Sequence, residues 1–586
     1  MIEARQGISG AAKEETPARL ASNPMVPPMP IASLLQQALA AHQQGRLADA
    51  AALYEAVLAQ DPRNPDALHL LGVVVAEGGD TARAAALIQA AIAEQPRSAV
   101  FHFNYANLLQ TMGALPQAVA HFDLASANDP ANAQVWFNRG NCLGKMGQQQ
   151  DSLASFDTAL RIRPDYVAAQ LNRGVALQAL GRHDDAIAAF QAACRLRPGH
   201  VQALCNLGNV LRIVGSWAEA RAACEQAVAI NPGHADAHAN LGNVLQNIGD
   251  HAGALAAYAS ALAIAPEHVN ARFNRSLVQL RLGDYRTGWQ GYEWRKRLTT
   301  PVAERRLAAP PWLGDADISG RTVFLHWEQG LGDTLQFCRF ALLVRERGAK
   351  VVLSVPEPLV RLVRTLDPDI DVISTHAVPT HFDLHCPLMS LPLALGTTLE
   401  TIPAQTPYLH PDPAKTATWR TRLAALPGLK VGLVWSGAAR PEDPLSDAIN
   451  RRRSISLAAF APLGRVDGVS LISLQKRPPA TEPPPDGLVL HDWTDELHDF
   501  LDTAALATAL DLIITVDTSV AHMAGALGRP VWILNRFDHC WRWLSGEGGS
   551  PWYPTARLFR QPAPDTWPAV IAEVAQALQA LTPSPA

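Results

Sequence analysis

The sequence predicts an α + α/β protein, a helical N-terminal solenoid followed by a strand-rich C-terminal half. Glycine recurs every 34 residues at Gly45, Gly79, Gly113, Gly147, Gly181, Gly215, Gly249 and Gly283. Proline keeps the same interval at Pro62, Pro96, Pro130, Pro164, Pro198, Pro232 and Pro266. After residue 297 that rhythm stops, and short β-branched runs alternate with helical stretches. At 586 residues the chain is also too long for one core.

Residues 1–30 carry acids and prolines without an apolar centre, so they read as a disordered leader and not as a secretory signal. From 31 to 297 the pattern gives seven units plus a cap. In the unit 133–166, Trp136, Gly140, Leu143, Gly147, Phe156, Ala159 and Pro164 fall at helical spacing on both sides of a Gly-centred turn. Each unit is therefore two antiparallel helices, with proline closing the second. Gly140, Gly174, Gly208 and Gly242 lie inside first helices, where glycine costs roughly 1 kcal/mol against alanine. Close approach of the paired helix at Ala186, Ala220 and Ala254 is the expected return. Spacing and residue types resemble the tetratricopeptide repeat, which implies a right-handed solenoid with a concave groove.

A second series rides on the first. Asn104, Asn138, Asn172, Asn206, Asn240 and Asn274 repeat every 34 residues on first helices. Asn107, Asn141, Asn209 and Asn243 follow on the same face. A primary amide both donates and accepts, so such a ladder can grip a peptide backbone. It can equally bond to the neighbouring repeat. The ladder resembles that of the O-linked N-acetylglucosamine transferases, where the asparagines hold an acceptor peptide. Here Gln36 and Leu70 break it in the first two units.

Residues 298–320 read as a linker around Pro301, Pro310 and Pro311. Strands are expected at Thr322–His326, Val351–Val355 and Asp371–Ser374. After a Pro-rich break they resume at Val431–Trp435, Ser470–Leu474, Leu512–Val516 and Val531–Leu534. That alternation predicts two Rossmann-like lobes, 321–410 and 411–586, with ligands at the carboxyl ends of parallel strands.

Three segments fall at such ends. Gly330-Leu331-Gly332-Asp333 precedes a helix expected from Thr334; its glycines allow close backbone approach, and Asp333 is either a general base or a helix N-cap. Asp517, Thr518, Ser519 and His522 open a helix whose free N–H groups suit a diphosphate. The alternative is an ordinary capped helix with a packed histidine. Arg451-Arg452-Arg453-Ser454 offers guanidinium forks for phosphate or is a solvated charge run, and Lys476 adds a cation.

Together they suit transfer from a nucleotide-diphosphate sugar, with a base on one lobe and a diphosphate cradle on the other. His326–Phe337, Gly432–Ser436 and Asp511–Trp543 resemble the heptosyltransferase-type glycosyltransferases of family nine. The resemblance implies a GT-B fold. It makes Asp333 the catalytic aspartate and Asp517, Thr518 and His522 the donor motif. Gly330, Gly332, Ser436, Ser519, Arg451, Arg453 and Lys476 complete the expected donor site. Arg451–Arg453 and Trp541-Arg542-Trp543 depart from the lipopolysaccharide enzymes.

No metal or cofactor is expected, the nucleotide sugar being a substrate; Asp315-Ala316-Asp317 and Asp367-Pro368-Asp369 read as turns. The net charge of −5 gives no reason to expect a nucleic-acid partner, and no apolar run is long enough to span a bilayer. Seven scattered cysteines without a C-x-x-C pair fit a reducing cytoplasm. The leading expectation is a cytoplasmic glycosyltransferase acting on a protein or peptide acceptor docked by the repeats. The alternatives are an enzyme acting on a lipid-linked or surface glycan, with the repeats binding a partner protein, and a non-catalytic scaffold. Repeat arrays often pair, which makes a homo-oligomer a further expectation.

Overall fold

In the computed structural model, the described residues are 29–298, 305, 307–438, 444–476, 482–546 and 549–582. Most of the expected leader and part of the expected linker lie outside them. The chain divides into two compact units, Met1–Ala169 and Gln170–Ala586.

Sixteen helices in eight pairs run from Ile31 to Tyr292. The 34-residue glycines hold the left-handed turn between paired helices, with φ between 73° and 93°. Only glycine adopts that conformation without strain. Several first helices are capped at the same period. Asn64 accepts from the Ala67 N–H at 3.0 Å, Asn132 from the Gln134 N–H at 3.1 Å, and His200 Nδ1 from the Ala203 N–H at 3.3 Å.

The interior glycines are explained by rings rather than by the expected alanines. A Cβ on Gly140 would lie 2.7 Å from the Phe156 ring, one on Gly174 2.5 Å from Phe190, and one on Gly242 2.6 Å from Tyr258. At Gly208 the close neighbour is Cys224 Sγ at 2.5 Å, with the Ala220 carbonyl at 3.3 Å. Small first-helix residues thus receive the large buried side chain of the second helix sixteen residues on.

The C-terminal half is an α/β region with two parallel sheets. Strands β1 (Thr322–His326), β2 (Lys350–Val355), β3 (Asp371–Ser374) and β4 (Leu384–Pro387) form the first, in the order β3-β2-β1-β4. Strands β5 (Leu429–Val434), β6 (Val469–Ser473), β7 (Leu490–His491), β8 (Leu512–Val516), β9 (Val531–Asn535) and β10 (Ala556–Arg560) form the second, in the order β10-β9-β8-β5-β6-β7. β4, β7 and β10 were not expected from the sequence. All three are sheet edges, and an edge strand need not carry a continuous apolar run. β8 is buried along its whole length, as a central parallel strand must be.

Aromatic side chains join the last helix pair to this half. Trp289 meets Trp541 at 5.2 Å and Phe337 at 6.4 Å between ring centroids, and Tyr285 meets Trp552 at 6.1 Å. Trp289 and Tyr292 are therefore core residues, 2% and 3% exposed. Arg295 adds a buried polar tie, paired with Glu293 and Glu328 at 2.6 Å each.

Candidate functional site

Two of the three expected segments meet. The helix Leu331–Phe337 starts one turn earlier than the sequence suggests, with Gly330 at its N-cap. A Cβ on Gly332 would lie 2.8 Å from His522 Cδ2 and 3.5 Å from Ser519 Cα. Glycine is required there because the start of this helix packs directly on the helix Ser519–Ala526. The segment after β1 and the segment after β8 thus form one site between the two sheets.

Asp333 is neither a plain N-cap nor an unengaged base. It occupies the third helical position and its Oδ2 accepts from the Gly330 N–H at 2.8 Å, which is one half of a capping box, since Gly330 has no side chain to return the bond. Its Oδ1 accepts from Arg542 Nη2. Arg542 also donates to Gln336 Oε1 at 2.8 Å and to Cys540 Sγ at 3.0 Å. Burial works against the Arg542 charge, but the Asp333 carboxylate holds the guanidinium above its ordinary range. The sequence reading missed this partner. Asp333 and Arg542 lie 209 residues apart, and no spacing rule links them.

His522 is 5% exposed. Its Nδ1 lies 3.0 Å from the Tyr553 hydroxyl, and its ring stacks on Trp543 at 5.4 Å. Burial and then the Arg542 and Arg339 charges push its pKa well below 6.5, so the ring is a neutral donor–acceptor. Thr518 is the N-cap of the helix, with its hydroxyl 3.1 Å from that of Thr515; Ser519 is the first helical residue. Two buried donors beside these groups, Gln336 Nε2 and Trp543 Nε1, have no protein partner. A buried unpaired donor costs on the order of 1–3 kcal/mol, and a polar ligand would satisfy it.

The remaining donor-site expectations separate. The three arginines end the helix Pro444–Arg453, where successive side chains point about 100° apart, so the run does not act as one cluster. Arg453 donates to the Asp517 carbonyl at 3.2 Å and joins the site. Arg452 pairs with Asp538 at 3.1 Å. Arg451 pairs with Asp447 at 2.5 Å and lines a different cavity. The Ser436 hydroxyl donates to the Gly437 carbonyl at 3.0 Å, and the Ser436 N–H donates to Gln475 Oε1 at 3.0 Å; both hold the loop after β5. Lys476 donates to the Leu497 carbonyl, which occupies the cation expected to face the site.

The asparagine series is half-buried throughout. Asn138 donates to Asn107 Oδ1 at 2.8 Å, Asn274 to Asn243 Oδ1 at 2.7 Å, and Asn240 to the Cys205 carbonyl at 3.3 Å. Asn104 Nδ2 lies 2.8 Å from His69 Nε2. Each of these joins a repeat to the one before it. Asn206 accepts from Gln202 within its own helix at 3.0 Å, and Asn172 is half-buried like the others. Asp315, Asp317 and Asp367 accept backbone N–H groups two residues away, as turn residues do.

Comparison with known proteins identifies the repeats. Tetratricopeptide-repeat models match residues 35–99, 143–201, 171–235, 205–269 and 239–286, and a second such model matches 75–136. The chain therefore carries tetratricopeptide repeats from about residue 35 to 290. Protein FlbA of Caulobacter vibrioides is 28% identical over 321 residues, covering 50% of this chain and 52% of FlbA. The chain thus spans about half the length of the curated relative it matches. Among solved structures, YrrB, described as a repeat protein with an unusual peptide-binding site, is 27% identical and covers 31% of this chain and 95% of its own (TM-score 0.29). A repeat protein of Parabacteroides merdae is 16% identical and covers 42% of this chain and 98% of its own (TM-score 0.34). Among the described residues, no helix is long and apolar enough to cross a membrane.

Proposed function

We propose that the chain is a metal-independent GT-B glycosyltransferase that moves a sugar from a nucleotide-diphosphate donor to a protein acceptor held by its repeats. The observation that carries this reading is the contact of Gly332 with Ser519 and His522, which puts Asp333 beside a helix N-terminus. The N–H groups and dipole of the helix Ser519–Ala526 suit the diphosphate, with Thr518, Ser519 and Arg453 adding donors. Neutral His522 can hydrogen-bond the donor without carrying charge. Asp333 takes the proton of the acceptor hydroxyl as that oxygen bonds to the sugar carbon. The bond from that carbon to the diphosphate breaks, and the nucleoside diphosphate leaves.

Arg542 holds Asp333 through its guanidinium. A bound diphosphate competes for the guanidinium and leaves the carboxylate available as base. Asp333→Asn should abolish transfer while thermal shift still reports donor binding; full transfer activity in that variant contradicts the assignment.

A second reading follows from the inter-repeat bonds of Asn138, Asn240 and Asn274. These amides serve the array itself, so the repeats can recruit a partner protein while the acceptor is a lipid-linked or surface glycan. Substituting Asn172, Asn206 and Asn240 with alanine separates the two. Loss of turnover on a protein acceptor, with the fold intact, supports the first reading, and unchanged turnover supports the second.

A further inference from the structure

A cavity of about 280 Å³ lies where the sixth helix pair meets the C-terminal half. Its walls include Ile213, Trp217, Arg451, Arg452, Phe537 and Asp538. Trp217 and Phe537 stack with centroids 6.0 Å apart and give it an apolar side. The other side is cationic. Asp538 is 6% exposed and takes Arg452 at 3.1 Å, Arg536 at 3.5 Å and Asn247 at 3.1 Å, while its carbonyl accepts from Arg281 at 3.2 Å. Arg212 reaches the same network through Asn247 at 3.5 Å and Asn209 at 3.0 Å.

Two guanidinium groups, those of Arg452 and Arg536, thus pair with one buried carboxylate, and those of Arg281 and Arg212 join the same network through the Asp538 carbonyl and Asn247. The other two acids balance them poorly, because Asp447 is engaged by Arg451 and Asp565, though it lines the cavity, is exposed. Burying cations without matching anions is costly. Burial, together with neighbouring cations, lowers the pKa of Arg212, of Arg452 and of Arg281, the last to about 10. Donors are also in excess. Arg212 Nε, Arg452 Nε, Arg536 Nη1 and Trp217 Nε1 are buried without a protein partner, and of these residues Arg452 and Trp217 line the cavity.

We propose that this cavity binds an oxyanion, a phosphate or carboxylate group, on a ligand whose apolar part lies against Trp217 and Phe537. The anion would supply the missing negative charge and accept from the unpartnered donors of the wall residues Arg452 and Trp217. The site is distinct from the Asp333 cleft, which Arg453 and not Arg452 faces. It stands whether or not the chain transfers sugar.

The test uses the full chain. Melting temperature is measured in sodium phosphate, sodium glutamate and sodium chloride at matched ionic strength. Phosphate or glutamate should raise Tm by about 2 °C or more over chloride, and the larger shift identifies the preferred group. Arg452→Met should remove the anion-specific shift. Arg451→Glu, at an exposed position that does not threaten folding, should reduce it as well. Crystals soaked in tungstate should show the metal beside Arg452 and Trp217. The proposal is overturned if neither anion exceeds chloride, if the shift survives both substitutions, or if tungstate occupies only the Asp333 cleft.

Discussion

At the scale of single residues, the account turns on Asp333 and Arg542. Arg542→Ala removes the partner of the carboxylate and a cation for the leaving diphosphate. It should lower kcat by about 100-fold or more while leaving the helix cap intact. Unchanged kcat would make the pair purely structural. A second residue-level consequence concerns pH. Burial lowers His326 to about 3, His539 to about 4 and His522 well below its ordinary value. These imidazoles are neutral in the folded chain, whereas in the unfolded chain they titrate near about 6.5. The unfolded state therefore binds more protons below that pH, and stability falls as pH drops through it, by about 1.4 kcal/mol per pH unit for each histidine. Tm should be flat above neutrality and should decline below about pH 6.5; a flat profile down to about pH 5 would contradict the buried, neutral state.

At the scale of elements, each helix pair is a small residue receiving a large one. Gly174→Ala places a methyl 2.5 Å from the Phe190 ring and should cost about 1–3 kcal/mol in urea unfolding. Gly147→Ala meets no neighbour within 4 Å, yet its φ of 78° is strained for alanine, so its cost should be nearer 1–2 kcal/mol. Equal, negligible costs at both positions would contradict the packing described. This level was largely legible in the sequence, because turn glycines, closing prolines and buried rings recur locally with one period. The sequence misassigned only the partner of the interior glycine, since alanine and the aromatic residue share the same period. The central strands β1, β5, β8 and β9 were legible as apolar runs. The edges β4, β7 and β10 were not, because pairing on one side imposes less on their residues.

At the scale of the whole molecule, the two turns that meet at Gly332 and His522 were legible because each follows a strand end. It could not find Arg542, Trp543 and Tyr553, which reach the site through tertiary packing. The arginine run misled for a related reason: three consecutive letters look like one patch, but a helix sends them to Asp447, Asp538 and Asp517. The C-terminal half holds both the Asp333 segment and the tie to the last helix pair, so under the proposed function a transfer site and a binding array would share one chain. The most direct test is to incubate the purified full chain with a panel of nucleotide-diphosphate sugars and follow release of the nucleoside diphosphate by mass spectrometry. The account predicts release from at least one donor by the native protein and none from Asp333→Asn. Binding and release by no member of the panel, or equal release by the variant, would contradict it.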